Sequence, residues 1–286
     1  MDLLIPFEYD YMITAMIVSS LVGGVCGFLS AFLMLKGWSL IGDALSHSIV
    51  PGVAGAYMLG LPFSIGAFFS GGLASSVMLF LNQRSKLKED TIIGLIFSSF
   101  FGIGLFMISI SPTSVDVQTI VLGNILAITP RDTIQLLLIS IISIVILLAK
   151  WKDFLVVFFD ENHSVTIGIN PTLTKIVFFT ILSACTVAAL QTVGAFLVIA
   201  LVVPPGATAC RLSDEFETGL ILRSTIGFST CLLGAYLSFF VNGSTGGVIV
   251  VLQAIIFCVI FLFAPKYGFI KAYKLRKHIV RPGKNA

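Results

Sequence analysis

The chain has 286 residues, 57% hydrophobic and only 11% charged, with a formal net charge of +3 and a mean hydropathy of +1.05. Soluble domains carry about one quarter charged residues, so a water-soluble globule of this length would lack the polar surface to cover itself, and the apolar excess points to lipid. The small net charge gives no indication of nucleic acid as a partner. The cysteines Cys26, Cys185, Cys210, Cys231 and Cys258 are odd in number, scattered, free of any CxxC and placed in or beside apolar stretches; they read as small buried hydrophobes rather than as disulfides or a thiolate metal site.

The N-terminal stretch 1–11 carries Asp2, Glu8 and Asp10 and no basic residue, the reverse of a signal peptide's charge, so the first apolar run is expected to be a retained span. Runs long enough to cross about 30 Å of hydrocarbon follow at 12–35, 40–60, 63–81, 92–110, 132–149, 218–240 and 245–264. The stretch 176–210 is nearly twice the length that one crossing needs and is broken near Gln191, Thr192 and Gly194, which predicts a hairpin of two spans or broken helices. The expected fold is therefore an all-α polytopic membrane domain over residues 1–286, with 8–9 transmembrane helices, 12–264 embedded and a basic tail at 265–286. Loop charge favours the odd count: with the N-terminus outside, nine spans place sixteen Lys and Arg residues on the cytoplasmic side and leave Arg131 alone outside, a strong positive-inside bias. The C-terminus is then cytoplasmic.

Two connections stand out. Residues 111–130 mix Asp116, Gln118, Asn124 and two prolines with an apolar middle, the pattern of a surface or re-entrant segment. The longest cytoplasmic connection, 151–174, holds Phe158, Phe159, Asp160, Glu161, Asn162 and His163 and then Ile167, Gly168, Ile169, Asn170 and Pro171. Asp160 can cap a short surface helix there and Gly168 with Pro171 can end it. Such a helix is either a solvated linker or a docking element for a cytoplasmic partner.

Ionisable residues near hydrocarbon are expensive and usually face a cavity or one another. Asp43 and His47 lie four apart at the start of the 40–60 run, which puts both on one helix face, about 6 Å apart along the axis. Carboxylate oxygen and neutral imidazole are ligands that first-row divalent ions accept. Three readings stand side by side: a cation path, a structural Asp–His contact, and an Asp43 that only snorkels to the interface. Pro51 lacks an N–H, so the carbonyl of His47 loses its helical partner and an irregular polar turn begins at the histidine. Pro204 and Pro205 repeat the device in 202–208, as a simple kink or as a broken helix lining a path. Gly23 and Gly27 form a GxxxG, a sign of close helix approach. No GxxxxGK[ST], HExxH or CxxC occurs in the sequence, so transport energy must come from an ion gradient or from a separate motor subunit.

The motifs Leu40-Ile41-Gly42-Asp43-Ala44-Leu45-Ser46-His47 with Pro51-Gly52-Val53, Glu89-Asp90-Thr91 with Ile93-Gly94, Leu122-Gly123-Asn124-Ile125-Leu126, Ala189-Leu190-Gln191-Thr192-Val193-Gly194 and Val203-Pro204-Pro205-Gly206-Ala207-Thr208-Ala209 together resemble the ABC-3 permeases. These are the membrane subunits of bacterial ATP-binding-cassette importers for zinc, manganese and iron. The resemblance runs from about residue 11 to 263, departs at Val50, where the family usually has leucine, and is closest in wording to the manganese and chelated-iron branch.

It implies a type II-like importer permease in the bacterial inner membrane that forms a dimer with an identical or homologous permease. A cytoplasmic ATPase would dock through a coupling helix at about 158–168, and an extracytoplasmic protein would deliver the metal. It also implies that Asp43 and His47 line the metal path, that no cofactor is stably bound, that Mn2+, Fe2+ or Zn2+ passes as substrate, and that the chain itself catalyses no bond chemistry. The alternatives are a gradient-driven secondary cation transporter, with Asp43 and His47 as a proton relay, and a membrane anchoring protein indifferent to loss of either residue.

Overall fold

The computed structural model describes residues 4–38, 40–110, 130–193 and 198–264, and among them the regular structure is helical throughout. A short 3-10 turn, Ile5–Glu8, leads into α1 (Asp10–Lys36), followed by α2 (Ile41–Ser48), α3 (Val50–Met58), α4 (Phe63–Arg84), α5 (Glu89–Ile110) and α6 (Pro130–Phe159). The remaining helices are α7 (Glu161–Thr166), α8 (Pro171–Val193), α9 (Val198–Leu212), α10 (Phe216–Val241) and α11 (Thr245–Phe263). Seven described helices, α1, α4, α5, α6, α8, α10 and α11, are long and apolar enough to cross a membrane.

The runs expected at 40–60 and 176–210 resolve differently. The first is split at Ile49 into α2 and α3, because Pro51 sits in the opening turn of α3, where its missing N–H is harmless. The second gives two helices, α8 and the fifteen-residue α9, of which α8 alone is among the seven long apolar helices; residues 194–197 between them lie outside the described residues. The segment 111–129, with Asp116, Gln118 and Asn124, and the tail 265–286 also lie outside them.

The connection expected over 151–174 is largely helical. Hydropathy falls at Lys150, Lys152 and Asp153, but α6 runs on to Phe159, with Lys150 Nζ 3.1 Å from Asp153 Oδ2 one turn along. Charges end an apolar run without ending a helix.

The interior is built around α1 and α8. In their most apolar stretches 83% and 72% of residues are buried, against 17% to 33% in the other five long helices. Those five turn large side chains outward, such as Phe69, Phe106, Ile141, Ile221 and Val251, a surface that suits lipid.

Helix α1 packs most extensively on α10, and its small residues make this possible. A Cβ on Gly23 would lie 2.6 Å from the carbonyl oxygen of Gly227 and would overlap Cys231 Sγ; one on Gly27 would overlap the carbonyl oxygen of Arg223. The GxxxG of α1 therefore marks direct backbone contact, which in lipid is how helices gain van der Waals attraction.

At the end of the molecule that holds the α6–α7 corner, Phe32 packs among Phe154, Phe158, Phe178 and Phe216 with centroid distances of 5.5–6.1 Å. All five cysteines are free, and Cys26, Cys185 and Cys231 are buried as expected. Cys210 and Cys258 are exposed, because α9 and α11 turn these positions away from the core.

Candidate metal path and docking corner

Asp43 and His47 share one face of α2, with His47 Nε2 3.6 Å from Asp43 Oδ1. That separation is too long for a hydrogen bond, but it suits two donors on one ion with metal–ligand bonds of about 2.0–2.2 Å each. Among the described residues no group of three His, Cys, Asp or Glu side chains is placed to hold a metal ion, so the pair can supply two donors of a larger shell.

Burial is uneven across the pair: the His47 side chain is 7% exposed and that of Asp43 34%. The carboxylate is the open side of the pair and the imidazole the buried side. The walls come from α5, where Phe97 and Phe101 present themselves edgewise to the imidazole at 5.1 and 5.2 Å and stack on each other at 5.8 Å. Nothing in the largely apolar sequence of α5 singles out these two rings.

The α2–α3 break is held by polar atoms. Where Pro51 has no N–H to offer, the carbonyl of His47 accepts from the N–H of Ile49. Ser70 of α4 donates its hydroxyl to the carbonyl of Ser48 at 2.6 Å. Within α2, Ser46 and Ser48 hydroxyls donate to the carbonyls of Asp43 and Ala44. The other proline-bearing stretch lies alongside: α9 contains Pro204 and Pro205 as interior residues, and its buried Val202 faces Gly42, where a Cβ would meet Val202 Cγ2 at 3.7 Å. The two irregular stretches of the sequence are neighbours in space.

The 158–168 region forms a tight corner. Asp160 caps α7, its Oδ1 accepting the N–H groups of Asn162 at 3.0 Å and His163 at 3.2 Å. Gly168, with φ of 82°, closes the helix as glycine permits. Glu161 Oε2 lies 2.6 Å from Nζ of the largely buried Lys175, which fastens α7 to α8. Phe158, expected in the exposed segment, belongs to the aromatic core, and the outward surface begins at Phe159 and continues with Val165 and Ile167. Beside this surface opens a cleft of about 770 Å3 whose lining includes Asp160, His163, Asp214, Glu215 and Arg223.

Sequence reasoning missed Trp38 and gave Glu89 no task beyond its place in a motif. The Trp38 indole N–H donates to Glu89 Oε2, and Glu89 Oε1 lies 3.5 Å from Asn82 Nδ2. A polar knot thus joins the start of α2, the end of α4 and the start of α5.

Over nearly their whole length the chain and known metal-transport proteins match. It is 59% identical over 266 residues to the chelated iron transport system membrane protein YfeC of Yersinia pestis, covering 93% of this chain and 90% of that one. It is 42% identical over 275 residues to the manganese transport system membrane protein MntB of Synechocystis, covering 95% and 89%. Among solved structures, PsaBC from Streptococcus pneumoniae in complex with Fab superimposes with a TM-score of 0.82 at 32% identity, over 93% of this chain and 96% of that one. The ABC 3 transport family matches residues 8–264, and the chain belongs to that family.

Proposed function

We propose that this chain is the membrane permease of an ATP-driven importer that brings manganese or iron ions into the bacterial cytoplasm, and that Asp43 and His47 are ligands met along the way. The observation that carries the reading is the Asp43–His47 pair itself, one carboxylate and one imidazole 3.6 Å apart on a single helix face in a chain of this family. Oxygen with nitrogen suits these divalent ions and admits zinc. Two ligands replace only part of a hydration shell, as a path must if the ion is to leave again. Burial orders the encounter: the ion exchanges water at the open Asp43 side and meets His47 between Phe97 and Phe101.

The motor is a separate cytoplasmic ATPase that hydrolyses ATP and seats on α7. Support for this seat comes from the exposed Phe159, Val165 and Ile167, the capped and salt-bridged frame beneath them, and the adjoining cleft. The orientation follows the loop charges, N-terminus outside and C-terminus in the cytoplasm. A second permease, identical or homologous, completes the membrane core, and an extracytoplasmic metal-binding protein delivers the ion.

His47→Ala tests the path. With membrane insertion and ATPase copurification unchanged, uptake of radiolabelled manganese and iron at limiting concentration is expected to fall at least about tenfold, in line with the loss of about 1.4 kcal/mol or more of ion stabilisation. Unaltered uptake would remove His47 from the path.

A further inference from the structure

We propose that Trp38 is the positioning residue that ties movement of the α6–α7 corner to the Asp43–His47 pair, an inference that rests on the functional reading above. Trp38 occupies the bend between two helices. Its N–H donates to the carbonyl of Leu33 at 2.8 Å, part of the turn that ends α1 at Gly37, where φ is 75°. Its own carbonyl accepts from the N–H of Ile41 at 3.2 Å, so Trp38 also holds the first turn of α2. Any displacement of the Trp38 backbone is delivered directly to the helix that carries Asp43 and His47.

The indole receives contacts from both flanks of α7. On one side, Phe158 meets it edge-on at 5.7 Å with an interplanar angle of 88°, and Phe158 lies two residues before Asp160, the cap of α7. On the other, Phe179 of α8 packs against it at 5.5 Å, one turn after Lys175, which Glu161 of α7 grips. Helix α7 is thus linked to the same ring by two routes, one along the chain through Phe158 and one through the Glu161–Lys175 ion pair and Phe179.

The indole passes the displacement on by a third contact. Its N–H donates to Glu89, the first residue of α5, and α5 carries Phe97 and Phe101, the rings that wall His47. Trp38 therefore connects to the ligand helix by backbone and to its aromatic wall by a hydrogen bond to a carboxylate, one of the stronger kinds. Tryptophan alone among the aromatic residues combines a large apolar face for Phe158 and Phe179 with a ring N–H donor. Coupling of this kind is read as a ratio between the two ends.

The test uses the full transporter, permease with ATPase and metal-delivery protein, in proteoliposomes, comparing the unaltered chain with Trp38→Phe and Glu89→Gln. Trp38→Phe keeps an aromatic face and removes the donor; Glu89→Gln keeps an acceptor oxygen and removes the charge. The readout is radiolabelled manganese imported per ATP hydrolysed, with retained ATPase as the assembly control. The expected result is a fall in that ratio of at least about fivefold, the lower end of ordinary coupling between sites, with retained ATPase within about twofold of the unaltered complex.

A residue that merely fills the core would lower uptake and hydrolysis together. An unchanged ratio in an assembled variant, whether the two rates stay or fall in step, therefore overturns the proposal. Should Trp38→Phe fail to assemble, Glu89→Gln is read on the same ratio with the same two outcomes. Lack of ATP-dependent uptake in the unaltered complex would instead bring down the functional reading, and this proposal with it.

Discussion

Gly27→Ala adds one methyl group at the point where α1 and α10 touch backbone to backbone. The new Cβ would overlap the carbonyl oxygen of Arg223, lie 2.9 Å from its carbonyl carbon and 3.2 Å from Ser224 Cα. These are backbone atoms of a packed helix, so no side chain can swing aside and the helices must part. Overpacking of this kind costs about 1–3 kcal/mol.

Alanine also gains about 0.8–1.0 kcal/mol of helix propensity over glycine, and Gly24 separates the two effects. A Cβ there meets nothing nearer than 3.6 Å, the Cβ of Phe228. Gly24→Ala takes the propensity gain without the clash, so the difference between the variants isolates the steric term. Gly27→Ala is expected to be less stable than Gly24→Ala by about 1–3 kcal/mol, measured as SDS-induced unfolding of the purified permease in mixed micelles. Equal stability of the two variants would refute the claim that α1 and α10 are in backbone contact at Gly27.

Asp160→Ala removes the cap of α7 and is expected to destabilise that helix by about 0.5–2 kcal/mol, seen as faster amide exchange at Asn162 and His163 and as weaker copurification of the ATPase; unchanged exchange would deny the cap its role. Gln253 bridges α11 to α10 through Nε2, 3.0 Å from Thr230 Oγ1. Hydrogen bonds between helices in lipid average about 0.6 kcal/mol, so Gln253→Leu should shift SDS-induced unfolding by less than about 1 kcal/mol, and a larger loss would mark Gln253 as more than a helix contact.

Hydropathy finds the long helices because lipid selects for it, and the GxxxG of α1 is legible because only small residues allow backbones to touch. What it misreads has definite causes. Lys150, Lys152 and Asp153 end the apolar run while α6 continues, since hydropathy measures solvent preference and not helix continuity. Spacing alone puts Asp43 and His47 on one face, because four residues make about one turn. The rest of their surroundings is hidden. In a helix as apolar all round as α5, periodicity cannot tell Phe97 and Phe101, which face His47, from Phe106, which faces outward. Nothing local in the sequence marks Trp38 as buried, yet it is buried in the fold, packed by Phe158 and Phe179 from more than a hundred residues away.

The division of the 40–60 run at Ile49 separates two halves that are held in different ways. On the α3 side, a Cβ at Gly52 or Gly66 would overlap the other's carbonyl oxygen, and one at Gly104 of α5 would lie 2.7 Å from Val50 Cγ1 and 3.0 Å from the nitrogen of Pro51. Helix α3 is thus clamped against α4 and α5 by backbone contact, which tolerates little displacement. Helix α2, eight residues and about 12 Å long, has no such glycine clamp at Gly42, where the neighbouring Val202 leaves ordinary van der Waals room. Its N-terminal turn is held by Trp38, and its C-terminal end meets the break bridged by Ser70. A tilt of α2 about Ile49 would carry Asp43 and His47 together, keeping their 3.6 Å separation and changing their distance from Phe97 and Phe101 of α5. On the proposed function, a displacement at the α6–α7 corner would then act on the pair as one short unit, where a continuous helix would have to move along its whole length.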